Sequence, residues 1–177
     1  DPVLSRGLGD VYKRQGGWDR DLDLDIRELK KADVGHVISL VTKDEMEELR
    51  VKHLGKKLQS NRIKWYHAPT PDEEVPSKMW FIKSLSIIKQ VMPNFYRGKS
   101  VVVHCKGGIS RAGIFACIVV WLLSGFEMTR AISMVREMRD PRGINEDQEQ
   151  FLLDYEKNWQ TWIQNDTIAD EWLEEMA

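Results

Sequence analysis

The run Ser100-Val101-Val102-Val103-His104 is followed at once by Cys105-Lys106-Gly107-Gly108-Ile109-Ser110-Arg111 and then by the apolar stretch Ile114 to Leu123. This succession restricts the fold more than any other part of the chain. A short apolar run of β-branched residues is expected as a central parallel strand buried on both faces. The glycine pair forces a tight loop, and the apolar stretch after it reads as a buried helix starting near Arg111. A strand, a glycine loop and a helix N-terminus in immediate succession bring several main-chain N–H groups around one small volume, which suits an anion. Gly107 and Gly108 let those N–H groups turn inward without a Cβ in the way.

The residue types inside the loop narrow the anion to phosphate. Arg111 carries a planar fork of donors able to hold two non-bridging phosphate oxygens together, which a lysine cannot do. The field that binds phosphate also stabilises a thiolate, so Cys105 is expected to be the nucleophile. Lys106, Gly107, Gly108, Ile109 and Ser110 complete the expected phosphate cradle. Cys117, inside the apolar helix with no basic neighbour in sequence, is expected to serve packing alone.

Outside the loop, hydrophobic periodicity predicts helices over 19–32, 43–58, 76–96, 111–123, 127–139 and 145–163, and strands over 36–41, 63–67 and 100–104. Strands alternating with helices indicate an α/β sandwich. Between the second strand and the next helix, Ala68-Pro69-Thr70-Pro71-Asp72 holds two prolines that exclude regular structure, so an exposed loop is expected at a strand end.

The chain has 177 residues, 42% of them hydrophobic, and a formal charge of −2, enough for one sizeable core and no more. Its basic residues are dispersed, which excludes a nucleic-acid footprint. The longest apolar run falls short of the ~18 to 20 residues that span a bilayer. Two cysteines without a CxxC pair, and no histidine cluster at ligand spacing, argue against a disulfide scaffold or a metal site. The expectation is a cytoplasmic monomer needing no cofactor or metal, with no nucleic-acid or membrane partner. Ser5 to Gln15 reads SRGLGDVYKRQ, residue for residue the translation of a transposon adapter used in sequencing libraries. Residues 1–15 are therefore expected to lie outside the fold, 16–165 to form the domain, and 166–177 to make an acidic amphipathic tail carrying Ile168, Trp172, Leu173 and Met176.

The segment HCKGGISRAG resembles the signature loop of the cysteine-dependent protein tyrosine and dual-specificity phosphatases. The order of segments over Asp21 to Leu54, Tyr66 to Pro76 and Ala131 to Tyr155 extends the resemblance to kinase-associated phosphatases and their bacterial relatives. That resemblance implies a mostly parallel central sheet of four to five strands flanked by helices, metal-independent hydrolysis of phosphomonoesters on a phosphoprotein through a phosphocysteine, and a mobile loop supplying a general acid. Asp72 in the proline loop is the residue implied, with Glu73, Glu74 and His67 as alternatives. The family's water-positioning glutamine corresponds to Gln148 or Gln150. Arg139 and Arg142 are expected near the site. Relatives commonly place Ser or Thr after the loop arginine where this chain has Ala112, which predicts slow breakdown of the phosphoenzyme. Ser110 is expected to cap the helix or to supply the missing hydroxyl. Competing readings are a phosphoinositide or RNA 5′-phosphatase with the same loop, a phosphate-binding module with very slow turnover, and an arsenate reductase or sulfurtransferase.

Overall fold

A computed structural model describes residues 21–164 with the exception of Glu73; the adapter-like stretch 1–15 and the tail 166–177 lie outside the described residues. Ten elements follow in order: α1 (Leu22–Lys31), β1 (Val34–Ser39), α2 (Lys43–Glu48), α3 (Leu54–Ser60), β2 (Lys64–His67), α4 (Lys78–Tyr96), β3 (Ser100–His104), α5 (Ser110–Ser124), α6 (Met128–Met138) and α7 (Glu146–Gln164).

Among the described residues the sheet has three parallel strands in the order β2-β1-β3, against the four to five expected. β1 lies in the middle, with Ile38 opposite Tyr66 on β2 and Val103 on β3. The strand leading to the loop is thus an edge strand here. Val102 is buried, whereas Val101 and Val103 are only partly so. Alternate residues of each strand feed two cores. Ile38 and Leu40 face Phe81, Ile88, Ile114, Phe115, Ile118 and Tyr155 of the α4, α5 and α7 layer. Val37, Val41 and Val102 face Ile26, Leu29, Leu54 and Leu58 of α1 and α3.

The helix expected over 43–58 is two helices. Thr42 opens α2 with a capping box, its Oγ1 accepting from Glu45 N–H at 3.2 Å while Glu45 Oε2 accepts from Thr42 N–H at 2.8 Å. The helix ends after six residues because Arg50 turns left-handed (φ 57°), with Val51 N–H reaching the Met46 carbonyl and Arg50 N–H the Glu47 carbonyl. This is a Schellman stop, built without the usual glycine. The break leaves Gly55 against the Trp65 ring, where a Cβ would stand 2.3 Å from it.

Candidate active site

β1 and β3 end side by side, and their C-terminal ends aim His104 and Cys105 at the first turn of α5. Cys105 is buried, and its Sγ accepts the Gly108 N–H at 3.2 Å. Gly108 takes φ +71°, which turns that N–H inward, and its carbonyl accepts from Arg139 Nη2. Gly107 has a different reason to be glycine: a Cβ there meets no atom within 4 Å, so the space before it is open to a ligand. Ile109, at the rim, is the N-cap of α5, and its carbonyl packs on Gly143, where an added Cβ would come within 3.3 Å. Lys106 points outward and pairs with Glu48 at 3.2 Å.

Arg111 is fully buried, and its donors can be followed one by one. Nη1 donates to Glu45 Oε2 at 2.7 Å and to the Thr70 carbonyl at 3.0 Å, and Nη2 donates to Glu45 Oε1 at 2.8 Å. Of the five N–H groups of a guanidinium, three are thereby occupied. The remaining two, on Nε and Nη2, lie along one edge of the plane. Nε is buried without a hydrogen-bond partner; it sits 3.1 Å from Asp72 Oδ1, an ion-pair distance in a direction that makes no hydrogen bond. Burial alone would lower the Arg111 pKa, but hydrogen bonds to Glu45 and the charges of Cys105, Glu45 and Asp72 leave it raised. Burial likewise works to raise the Glu45 carboxyl, and the Arg111 and Thr42 bonds outweigh it, holding Glu45 below the ordinary carboxylate range.

Glu45 is the site residue that the sequence reading missed. Its only signal was the Thr-x-x-Glu capping pattern, which announces a helix start and says nothing of a partner 66 residues away.

Asp72 is half exposed, on the proline loop that leaves β2. The loop is anchored by Ala68 N–H to the Ser39 carbonyl, Thr70 N–H to the Leu40 carbonyl and Trp80 Nε1 to the Ala68 carbonyl. Glu73 lies outside the described residues, and Glu74 is exposed. His67 ends β2, its Nε2 2.8 Å from the Val41 carbonyl.

Gln148 is fully buried rather than facing solvent. Its Nε2 donates to Ser110 Oγ at 2.8 Å and to the Glu74 carbonyl at 3.3 Å, and its Oε1 lies 3.0 Å from Ser110 Oγ. It therefore ties the first residue of α5 to the Asp72 loop. Gln150 is exposed and donates to Asp154. Ser110 is not the cap of α5, a position held by Ile109 without a side-chain bond; its hydroxyl is committed to Gln148. Ala112 is buried directly behind the arginine. Arg142 is exposed and paired with Asp140 at 2.7 Å. Cys117 is buried in α5, and that burial pushes its thiol up to about 12, consistent with packing.

Comparison with known proteins agrees with this arrangement. The family model "Dual specificity phosphatase, catalytic domain" matches residues 21–158. Cyclin-dependent kinase inhibitor 3 of Mus musculus is 26% identical over 127 residues, 71% of this chain and 58% of that protein, and the Homo sapiens counterpart is 24% identical over 126. The chain thus spans 58% of the length of these relatives. Among solved structures, kinase associated phosphatase with its catalytic-site cysteine changed to serine superposes with a TM-score of 0.69 at 20% identity, covering 83% of this chain and 80% of that one. PTPMT1 in complex with PI(5)P gives 0.66 at 19%, covering 82% and 96%. A match over most of the chain, on a fold that places cysteine, glycine loop and arginine at the end of one parallel strand, makes this chain a member of the dual specificity phosphatase catalytic-domain family.

Proposed function

We propose that this chain hydrolyses phosphomonoesters on proteins, phosphotyrosine and also phosphoserine or phosphothreonine, without a metal and through a phosphocysteine. The observation that carries the reading is the Arg111 guanidinium: two sides are held by Glu45 and Thr70, and the edge left over, Nε with one Nη2 hydrogen, is the pair that grips two phosphate oxygens. A buried donor left unpaired costs about 1 to 3 kcal/mol. Phosphate would recover that cost on binding.

In the first step the Cys105 thiolate attacks phosphorus in line with the leaving oxygen. An S–P bond forms as the P–O bond breaks, with Arg111 and the loop N–H groups holding the equatorial oxygens. Asp72, beside the arginine's open edge, gives its proton to the departing serine, threonine or tyrosine oxygen. In the second step the Asp72 carboxylate takes a proton from water, the hydroxide oxygen joins phosphorus, and the thiolate leaves. Gln148 braces the Asp72 loop through the Glu74 carbonyl. That 3.3 Å bond is the longest of its set and the one that would yield for Gln148 to orient the water. The same reading expects a cytoplasmic monomer; no helix among the described residues is long and apolar enough to cross a membrane.

A phosphoinositide substrate is the second reading, favoured by the likeness to PTPMT1, which was solved with PI(5)P. Against it, the extra cation of the loop, Lys106, is paired with Glu48. The test is hydrolysis of phosphotyrosine, phosphothreonine and phosphoinositide substrates with chelator present. The expected result is turnover of phosphopeptides that is abolished in Cys105→Ser. Full activity in that variant, or turnover of phosphoinositide alone, would overturn the proposal.

A further inference from the structure

Beneath the nucleophile lies a chain of three polar side chains that the reaction scheme does not use. Ser39, the last residue of β1, is fully buried. Its Oγ lies 2.6 Å from His104 Nε2 and 2.8 Å from Trp65 Nε1. These three residues come from the three neighbouring strands, Trp65 on β2, Ser39 on β1 and His104 on β3, so the chain crosses the sheet just behind the phosphate loop.

The polarity of that chain is determined at one end. An indole N–H only donates, so Ser39 Oγ must accept from Trp65. The hydroxyl hydrogen then needs an acceptor of its own, and His104 Nε2 is the neighbouring atom able to take it. An Nε2 that accepts carries no hydrogen, so the ring hydrogen of the neutral imidazole is on Nδ1. Were Nε2 protonated instead, it and Trp65 would both point hydrogens at Ser39, whose own hydrogen would be stranded in a buried site. The imidazole also makes a hydrogen bond to the Cys105 main chain that favours its protonated nitrogen, which identifies the acceptor as the Cys105 carbonyl. Burial, with the charge of Arg111 and the neighbouring His67, keeps the ring neutral down to about pH 4, so the tautomer question applies throughout the working range.

We propose that Trp65 and Ser39 are positioning residues: through the relay Trp65 Nε1–H to Ser39 Oγ–H to His104 Nε2, they hold His104 in its Nδ1–H tautomer and so pin the Cys105 carbonyl at the start of the phosphate loop. The catalytic part of this inference rests on the reading of Cys105 as the nucleophile. Two features of the chain serve the relay. Gly55 has no side chain where the Trp65 ring lies, and the His67 ring stacks on the other aromatic surface at 5.2 Å between centroids, so the indole cannot turn away from Ser39.

The test combines a spectrum with kinetics on the full chain. In wild-type protein at pH 7, long-range proton–nitrogen correlation of the His104 ring is expected to show hydrogen on Nδ1 and none on Nε2. In Trp65→Phe the Ser39 hydroxyl is released from its donor, and a mixture of tautomers is expected. In Ser39→Ala the Nδ1–H preference is lost, kcat for p-nitrophenyl phosphate falls roughly five- to tenfold, as for one neutral hydrogen bond, and KM stays put. The rate of Cys105 alkylation by iodoacetate falls alongside kcat. Ser39→Thr, which keeps the hydroxyl, restores the Nδ1–H tautomer. Hydrogen on Nε2 in the wild type, or variants that fold with unchanged tautomer and unchanged kcat, would overturn the inference. Turnover surviving in Cys105→Ser would remove the catalytic reading and leave the tautomer result standing.

Discussion

Replacing Glu45 by glutamine probes the least expected part of the site. The substitution keeps shape and one acceptor oxygen, and it removes a charge and one of the two oxygens that bind Arg111 at 2.7 and 2.8 Å. Breaking one side of a buried ion pair costs about 3 to 5 kcal/mol when nothing replaces it. Here the Thr70 carbonyl and Asp72 stay within reach of the guanidinium, and the Glu45 side chain is 14% exposed, so about 2 to 3 kcal/mol is the expected loss of stability. For a chain of this size each kcal/mol is worth about 2 to 4 °C in Tm, which predicts a fall of about 4 to 12 °C. Freed at two nitrogens, Arg111 no longer presents a fixed edge to phosphate, and misplacement on the ångström scale can cost about a hundredfold in kcat/KM. Thermal denaturation and p-nitrophenyl phosphate kinetics read the two effects. The sign of the pH dependence supplies a control. Glu45 has a lowered pKa in the folded chain, so its contribution is present above its ordinary value of 4.5 and fades as pH falls through the folded value. The gap between wild type and Glu45→Gln should therefore narrow in acid. A Glu45→Gln protein with unchanged Tm and unchanged kcat/KM would refute the reasoning.

Three other outcomes follow from the same contacts. Ala112→Ser should speed phosphoenzyme breakdown about tenfold, the value of one hydrogen bond to the leaving thiolate, because the only nearby hydroxyl, Ser110, is committed to Gln148; pre-steady-state burst analysis measures it, and an unchanged second step contradicts it. His104 titrates at about 4 when folded against 6.5 ordinarily, so its share of stability is whole above pH 6.5 and lost as pH falls toward 4; urea unfolding at pH 7 and pH 5 should differ by up to about 2 kcal/mol more in wild type than in His104→Gln. Gly55→Ala, normally favourable inside a helix, should instead cost about 1 to 3 kcal/mol, since its Cβ would stand 2.3 Å from a Trp65 ring that is bonded to Ser39; a raised Tm would show that the ring yields freely.

The parts of this site that could be read from sequence are those whose chemistry is contiguous. Cys105, the glycines and Arg111 stand in one loop between a strand and a helix, and the structure puts them around a single volume. The proline loop announced itself by composition, and Asp72 does come to the arginine. Glu45 could not be found in this way, because its partnership depends on how the α2 segment docks against the loop, a tertiary fact without a local pattern. The same applies to the break between α2 and α3: it turns on Arg50 in a left-handed conformation that glycine would have advertised and arginine does not. Gln148 was legible as a candidate but not in its setting, since a residue in the first turn of an acidic helix reads as solvated until Ser110 and Glu74 are seen around it. The edge position of β3 was hidden by its own composition: three consecutive valines read as a strand covered on both sides, while Val101 and Val103 are only partly covered.

The most direct test of the central claim is to mix the enzyme with a phosphotyrosine peptide, quench in acid within the first turnover, and locate phosphate on the chain by mass spectrometry. The account predicts a phosphoryl group on Cys105, accumulating because Ala112 offers the departing thiolate no hydroxyl, and absent from Cys105→Ser. Steady turnover with no phosphate found on Cys105 at any quench time would contradict it.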